Sequence, residues 1–202
     1  MIRLSAIVEG KGEVKAFPIV LRRLAERSQC QVNLSAPIRV HRDQFLNDEK
    51  EFRRKLQLAA YKSGDHGWVL ILLDADDDCP ARLSAKILER VKAVIPHRQV
   101  SVVLANREFE AWFLAAARSL EGERDFSYGK EMDLEPETIR DAKGWLGKRM
   151  SQGYHPVTDQ PAFAARFDLK MAHNRSRSFR KLCDEWERYT RHLLSPVEPK
   201  LR

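Results

Sequence analysis

Residues 2–8 read Ile-Arg-Leu-Ser-Ala-Ile-Val. They begin with alternation and end apolar, the pattern of a strand that becomes buried. Gly10 and Gly12 follow as turn residues, and Val14, Phe17, Leu21 and Leu24 then recur at helical spacing. Pro18 is compatible with a helix starting near Glu13 to Lys15, because first-turn N–H groups have no partner to lose. A short strand is predicted over 38–41. A helix is predicted over 49–62, with Phe52, Leu56 and Ala59 or Ala60 on one face. Gly64 and Gly67 bracket a turn. Residues 68–73, Trp-Val-Leu-Ile-Leu-Leu, form an unbroken apolar run, which fits a parallel strand covered on both faces. Pro80 stands just inside a helix over roughly 81–94, where Leu83, Ile87, Val91 and Val94 are periodic. Residues 99–105 give another strand. Asn106 and Arg107 then lead into a helix carrying Phe109, Trp112, Phe113 and Ala116.

Strands and helices alternate four times, which predicts an α/β fold: a mostly parallel sheet of about four strands with helices on both faces. The remainder changes character. Residues 120–134 are polar and read as a loop, and Pro136 opens a helix with Ile139, Ala142, Leu146 and Met150 on one face. An irregular stretch runs from 153 to 161, and a short helix is expected over 160–167. The last helix starts at Ser178, a good N-cap, and carries Phe179, Leu182, Trp186 and Leu193. The expected organisation is an α/β core over 1–118 with a helical C-terminal extension, 119–202, packed on it.

Composition supports a foldable core: 43% of the 202 residues are hydrophobic. No apolar run approaches the roughly 20 residues of a membrane span. An acid, Glu9, stands where a signal peptide would stay apolar, so a cytoplasmic protein is expected. Cys30, Cys79 and Cys183 are widely separated and form no Cys-x-x-Cys pair, which argues against a disulfide framework or a cysteine zinc site. The net charge of +7 favours polyanionic partners. Its distribution says more. Arg166, Lys170, Arg175, Arg177, Arg180 and Lys181 crowd one segment, while acids concentrate around 74–78 and 121–137.

The candidate chemistry lies in those acids. Ligands of open α/β sheets gather at the carboxyl ends of strands, where Glu9 and the Asp74, Asp76 and Asp78 cluster fall. If the two strands are neighbours, their carboxylates can meet. Like charges held together call for protons or a cation, and hard oxygen donors favour Mg²⁺, Mn²⁺ or Ca²⁺. Asp74 abuts the apolar run and should be partly buried. Asp77 and Asp78 could instead cap the next helix, and Glu13 could simply favour its helix dipole. Of Glu108 and Glu110, i, i+2 spacing on a helix would bring at most one inward. Asn106 suits a helix cap. Arg175, Arg177, Arg180 and Lys181 could grip phosphates or form a solvated face. Gly-x-Gly alone is weak, and neither a dinucleotide fingerprint nor a Walker motif is present. His155, His173 and His192 lack metal-ligand spacing, and the four tryptophans sit in apolar patterns.

Val8-Glu9-Gly10-Lys11-Gly12-Glu13, followed by Leu72-Leu73-Asp74-Ala75-Asp76-Asp77-Asp78, resembles the Toprim domain of topoisomerases, primases, ribosomal-RNA maturases and overcoming-lysogenization-defect nucleases. Arg107-Glu108-Phe109-Glu110-Ala111-Trp112 and Ser176-Arg177-Ser178-Phe179 narrow the resemblance to a bacterial Toprim-like domain-of-unknown-function family, DUF4276. The resemblance implies a Rossmann-like fold and Mg²⁺-dependent (or Mn²⁺-dependent) phosphodiester chemistry on nucleic acid, most plausibly by a nuclease, with a role in phage defence. It implies Glu9 and Glu13 as catalytic acids, Glu9, Asp74, Asp76 and Asp78 as metal ligands, and Lys11, Arg175, Arg177, Arg180 and Lys181 as nucleic-acid contacts. The alternative is a non-catalytic metal- or partner-binding module that works with another protein such as an ATPase. Ala75 and Asp77-Asp78-Cys79-Pro80 depart from the topoisomerase and primase pattern, which has a proline inside the Asp motif and a Gly-Glu soon after.

Overall fold

A computed structural model describes residues 1–129 and 135–194, with the side chains of 192–194 excepted. Part of the expected 120–134 loop therefore lies outside the described residues. The sheet is parallel throughout. Strand β1 (Ile2–Val8) pairs with β4 (Trp68–Asp74), and β4 pairs in turn with β5 (Gln99–Ala105). Two short strands, β2 (Val32–Leu34) and β3 (Ile38–Arg39), both pair with β1, at residues 2–4 and 7–8 respectively. The order β2-β1-β4-β5 thus makes Glu9 and Asp74 exits of neighbouring strands.

Alternation along each strand divides the core into two faces. Leu4, Ala6 and Val8 of β1 join Trp68, Leu70 and Leu72 of β4 on one face. There they meet α1 (Lys11–Arg27), α5 (Ala111–Ala115), α7 (Pro156–Arg166) and α9 (Arg177–Leu194). Val69, Ile71 and Leu73 face the other way, toward α2 (Arg42–Asn47), α3 (Glu49–Ser63) and α4 (Pro80–Val94). Every residue of β4 is buried, as a central strand covered on both sides requires. The first cluster runs without a break into α6 (Ala142–Gly147) and α8 (Leu169–Arg175), so one apolar core joins the sheet to the late helices.

Three local departures shape the site. α1 begins at Lys11, earlier than expected, and Pro18 therefore falls in its interior. After β5 the chain makes turns through residues 106–110 and becomes helical only at Ala111. The expected helix from Pro136 is split. A 3₁₀ turn over Pro136–Thr138 precedes α6, whose start is fixed by Asp141 accepting the Gly144 N–H at 2.8 Å. The cap of α9 is Ser176 rather than Ser178: its hydroxyl accepts the Phe179 N–H at 3.0 Å.

Candidate functional site

The chain leaves β1 at Glu9 and turns at once into α1. Gly10 occupies the N-cap position and offers no side chain, so the helix start is finished from the other direction. Glu13, in the first turn, reaches back and accepts the Glu9 N–H at 3.1 Å. The bond resembles the carboxylate half of a capping box but reaches one residue beyond the N-cap. It also buries Glu13, which is 3% exposed. Glu13 is thus more than a residue that favours the helix dipole.

Asp74 ends β4. One carboxylate oxygen accepts the Phe109 N–H at 2.8 Å, and the other faces the Lys143 ammonium at 4.0 Å. The Phe109 bond fixes the non-helical stretch after β5 against the end of β4. Because residues 108–110 are not helical, the i, i+2 argument does not separate Glu108 from Glu110. Both approach Lys143, at 3.2 and 3.4 Å. Glu110 is wholly buried and also accepts from the Gln160 amide at 2.8 Å. Lys143 is the common cation of three carboxylates.

The electrostatics follow from this crowding. Burial pushes the Glu13 carboxyl up to about 7, helped by the charges of Glu110 and Glu9 and opposed by the Gly10 and Glu9 N–H groups. Burial, then Glu13 and Glu110, raise Asp74 well above the carboxylate range despite Lys143. Burial also raises Glu110, against the pull of Lys143. Glu9 rises through burial and the nearby Asp76 charge, while the Asp74 N–H, Arg42 and Lys143 act the other way. Burial would lower Lys143, but Glu110, Asp74 and Glu108 outweigh it and hold the ammonium charged. Among the described residues, two buried carboxylate oxygens, Glu9 Oε2 and Glu110 Oε2, accept no hydrogen bond. Glu110 Oε2 faces the Lys143 ammonium at 3.4 Å, whereas Glu9 Oε2 is an orphan, which is costly for a buried polar atom.

The lip of the site is cationic. Arg42, at the start of α2, donates from Nε to the Asp74 carbonyl at 3.0 Å, faces Asp76 at 3.6 Å and pairs with Asp78. Arg107 and Arg140 both pair with Asp77, the latter at 2.9 Å, around a small cavity of about 120 Å³. Asp76 and Arg107 adopt left-handed backbone (φ +49° and +67°), and the Asp76 N–H donates to the Arg107 carbonyl at 3.0 Å. Asp77 and Asp78 therefore serve arginines. They do not cap α4, whose N-cap residue is Cys79.

Glu9, Glu13 and Asp74 are brought together, and Asp76 lies at their open side. Asp78 is held outward on Arg42. Lys11 is exposed on the first turn of α1. Arg175, Arg177, Arg180 and Lys181 lie about the junction of α8 and α9. Glu137 ties that junction to the carboxyl end of β5, accepting from Asn106, Ser176 and Ser178. Asn106 thus bonds Glu137 and caps no helix. Within the basic group, Arg180 donates to the His173 and Asn174 carbonyls, and Lys181 pairs with Glu185 at 2.6 Å. Lys143, Gln160 and Arg42 escaped sequence reasoning. Lys143 had left a signal: at Ile139 plus four and Leu146 minus three, it interrupts the apolar stripe. Arg42 left none.

Fold and site together define a parallel α/β protein with a buried carboxylate cluster at the exits of its central strands. The family described as Domain of unknown function (DUF4276) matches residues 8–187, and the chain belongs to it. No curated protein and no solved structure matches. Among the described residues, no helix is long and apolar enough to cross a membrane.

Proposed function

We propose that this chain is a Toprim-like enzyme that cuts nucleic-acid phosphodiesters with the help of Mg²⁺ or Mn²⁺, a nuclease with a role in defence against foreign DNA. One observation carries the reading: four carboxyl groups, Glu9, Glu13, Asp74 and Glu110, crowd the exits of adjacent parallel strands with a single lysine among them. Such crowding is costly unless the site exists to meet positive charge.

The donor chemistry fits a hard cation, since every candidate ligand is a carboxylate oxygen and Glu9 Oε2 is an orphan. Among the described residues, no three Asp, Glu, His or Cys side chains close round one ion. Mg²⁺ commonly takes one or two carboxylates and completes its shell with water and phosphate oxygens. Glu9, Asp74 and Asp76 would hold it, with Asp78 farther out, and it would supply charge stabilisation at the phosphate. The chain's own groups do the rest. Lys143 offsets charge at the back of the site. Arg42, Arg107 and Arg140 attract the polyanion at the lip. Glu13 fixes the Glu9 loop, and Glu9, partly buried, would take a proton from water.

Plasmid and single-stranded DNA incubated with Mn²⁺ test the reading. Cleavage by the wild type, reduced about 100-fold or more in Asp74→Asn, is the expected result. Metal binding without cleavage of either substrate would sink the nuclease reading and leave a non-catalytic module acting with a partner such as an ATPase.

A further inference from the structure

A second cavity opens beside the carboxylate cluster, between α2 and α4. Its volume is about 440 Å³. Leu46, Leu83 and Ile87 supply apolar lining, Arg42, Lys86 and Arg90 supply cations, Asp43 and Asp78 supply carboxylates, and Asn47 completes the wall. The three cations differ in how far they are committed. Arg90 is spent on structure: it donates to the Leu46 carbonyl at 2.6 Å, pairs with Glu49 at 3.0 Å and lies over the Phe52 ring at 3.9 Å. Arg42 lines both this cleft and the acid site: its guanidinium contacts the Asp74 carbonyl, Asp76 and Asp78, and it pairs with Asp43 on the cleft wall at 3.5 Å. Lys86 is exposed on α4, and no ion pair to it is formed among the described residues.

We propose that this cleft holds one nucleotide of a single-stranded nucleic acid, the unit next to the phosphate presented to the carboxylate cluster. The argument is one of size and chemistry. The volume far exceeds what a lone phosphate needs and falls in the range of small-molecule sites. An apolar floor under a rim of three cations and two carboxylates, with Lys86 the cation left without an ion pair among the described residues, fits a ligand with a flat apolar body and anionic ends. Base and sugar rest on Leu46, Leu83 and Ile87. Arg42 exchanges its long contact with Asp43 for the phosphate shared with the acid site, and Lys86 takes the next one along the strand. The paired bases of a duplex are not free to enter, so the cleft selects single strands.

The proposal rests on the nucleic-acid reading of the acid site, but its test does not depend on metal or cleavage. A fluorescein-labelled oligo-dT and a duplex of equal length are titrated in EDTA, with fluorescence anisotropy as the readout. Wild type should bind the single strand at least about fivefold more tightly than the duplex. Lys86→Glu should weaken single-strand binding about tenfold and reduce the salt slope by about 0.7, the value for one lost phosphate contact on a single strand. Asn47→Trp fills the cleft from its exposed wall without changing charge and should weaken binding similarly. Lys170→Glu, on α8, makes the same charge change away from the cleft and should have a smaller effect. Circular dichroism and melting of all three variants identify any that fail to fold. Binding that is unchanged by both Lys86→Glu and Asn47→Trp in folded protein would overturn the proposal, as would a wild type that binds no single strand. Binding of the predicted kind in a protein that never cleaves would uphold the cleft and count against the nuclease alone.

Discussion

At the residue scale, the cluster stores electrostatic cost that pH should reveal. Glu13 has an ordinary carboxyl pKa of 4.5 when unfolded and about 7 in the folded protein, raised chiefly by burial. Between those values the folded state holds a proton that the unfolded chain has lost. Its contribution to stability therefore falls as pH rises from about 4.5 and levels off above about 7. Glu9, Asp74 and Glu110 shift in the same direction. Glu13→Gln keeps an oxygen for the Glu9 N–H and removes the charge. In EDTA it should flatten this slope and raise stability above pH 7 by up to about 3 kcal/mol, as measured by urea unfolding across the window. Equal slopes in variant and wild type would contradict the assignment. Lys143 is the converse case. Lys143→Met strands three carboxylates without their cation and should cost about 2 kcal/mol at pH 8, below the roughly 3–5 kcal/mol of a fully buried pair because the lysine side chain is 41% exposed. The loss should shrink at pH 5, where Asp74 and Glu110, both raised by burial, take up protons.

At the element scale, the approach of α1 to α7 positions the acids. An ideal Cβ on Gly12 would sit 2.5 Å from the Pro156 carbonyl oxygen and overlap the Gln160 side chain, which holds Glu110. Gly12→Ala should therefore destabilise by about 1–3 kcal/mol in thermal melts. It should also weaken any metal response, because both strand exits lean on this contact. Ser176→Ala removes the cap of α9 and should cost about 1 kcal/mol. The elements that sequence made legible are those with long apolar signals: β1, β4, β5, α3 and α4. β2, α2 and α8 are too short to carry a periodic pattern, and pairing or packing against the rest of the chain decides them. The stretch after β5 read as helix because Phe109, Trp112 and Phe113 are helically spaced. The Phe109 N–H instead goes to Asp74, and the helix waits until Ala111. Strand-end acids were visible in the sequence because a strand end is a fixed place. Lys143, Gln160 and Arg42 come from other elements, and only the folded chain brings them to the same spot.

At the scale of the whole molecule, one arrangement recurs. Parallel strands deliver acids to one end of the sheet, the late helices seal one side of them, and arginines rim the opening. A protein of net charge +7 that keeps its acids at a cationic lip can draw in a polyanion and still meet it with carboxylates, provided a cation stands between them. That cation is the central claim. Isothermal calorimetry of Mn²⁺ into wild type and Asp74→Asn at pH 7.5 tests it directly. Saturable heat in the wild type, weakened at least about tenfold in a folded Asp74→Asn, is the predicted result. A wild type that gives no metal-dependent heat, or a variant that binds as tightly as the wild type, would contradict it.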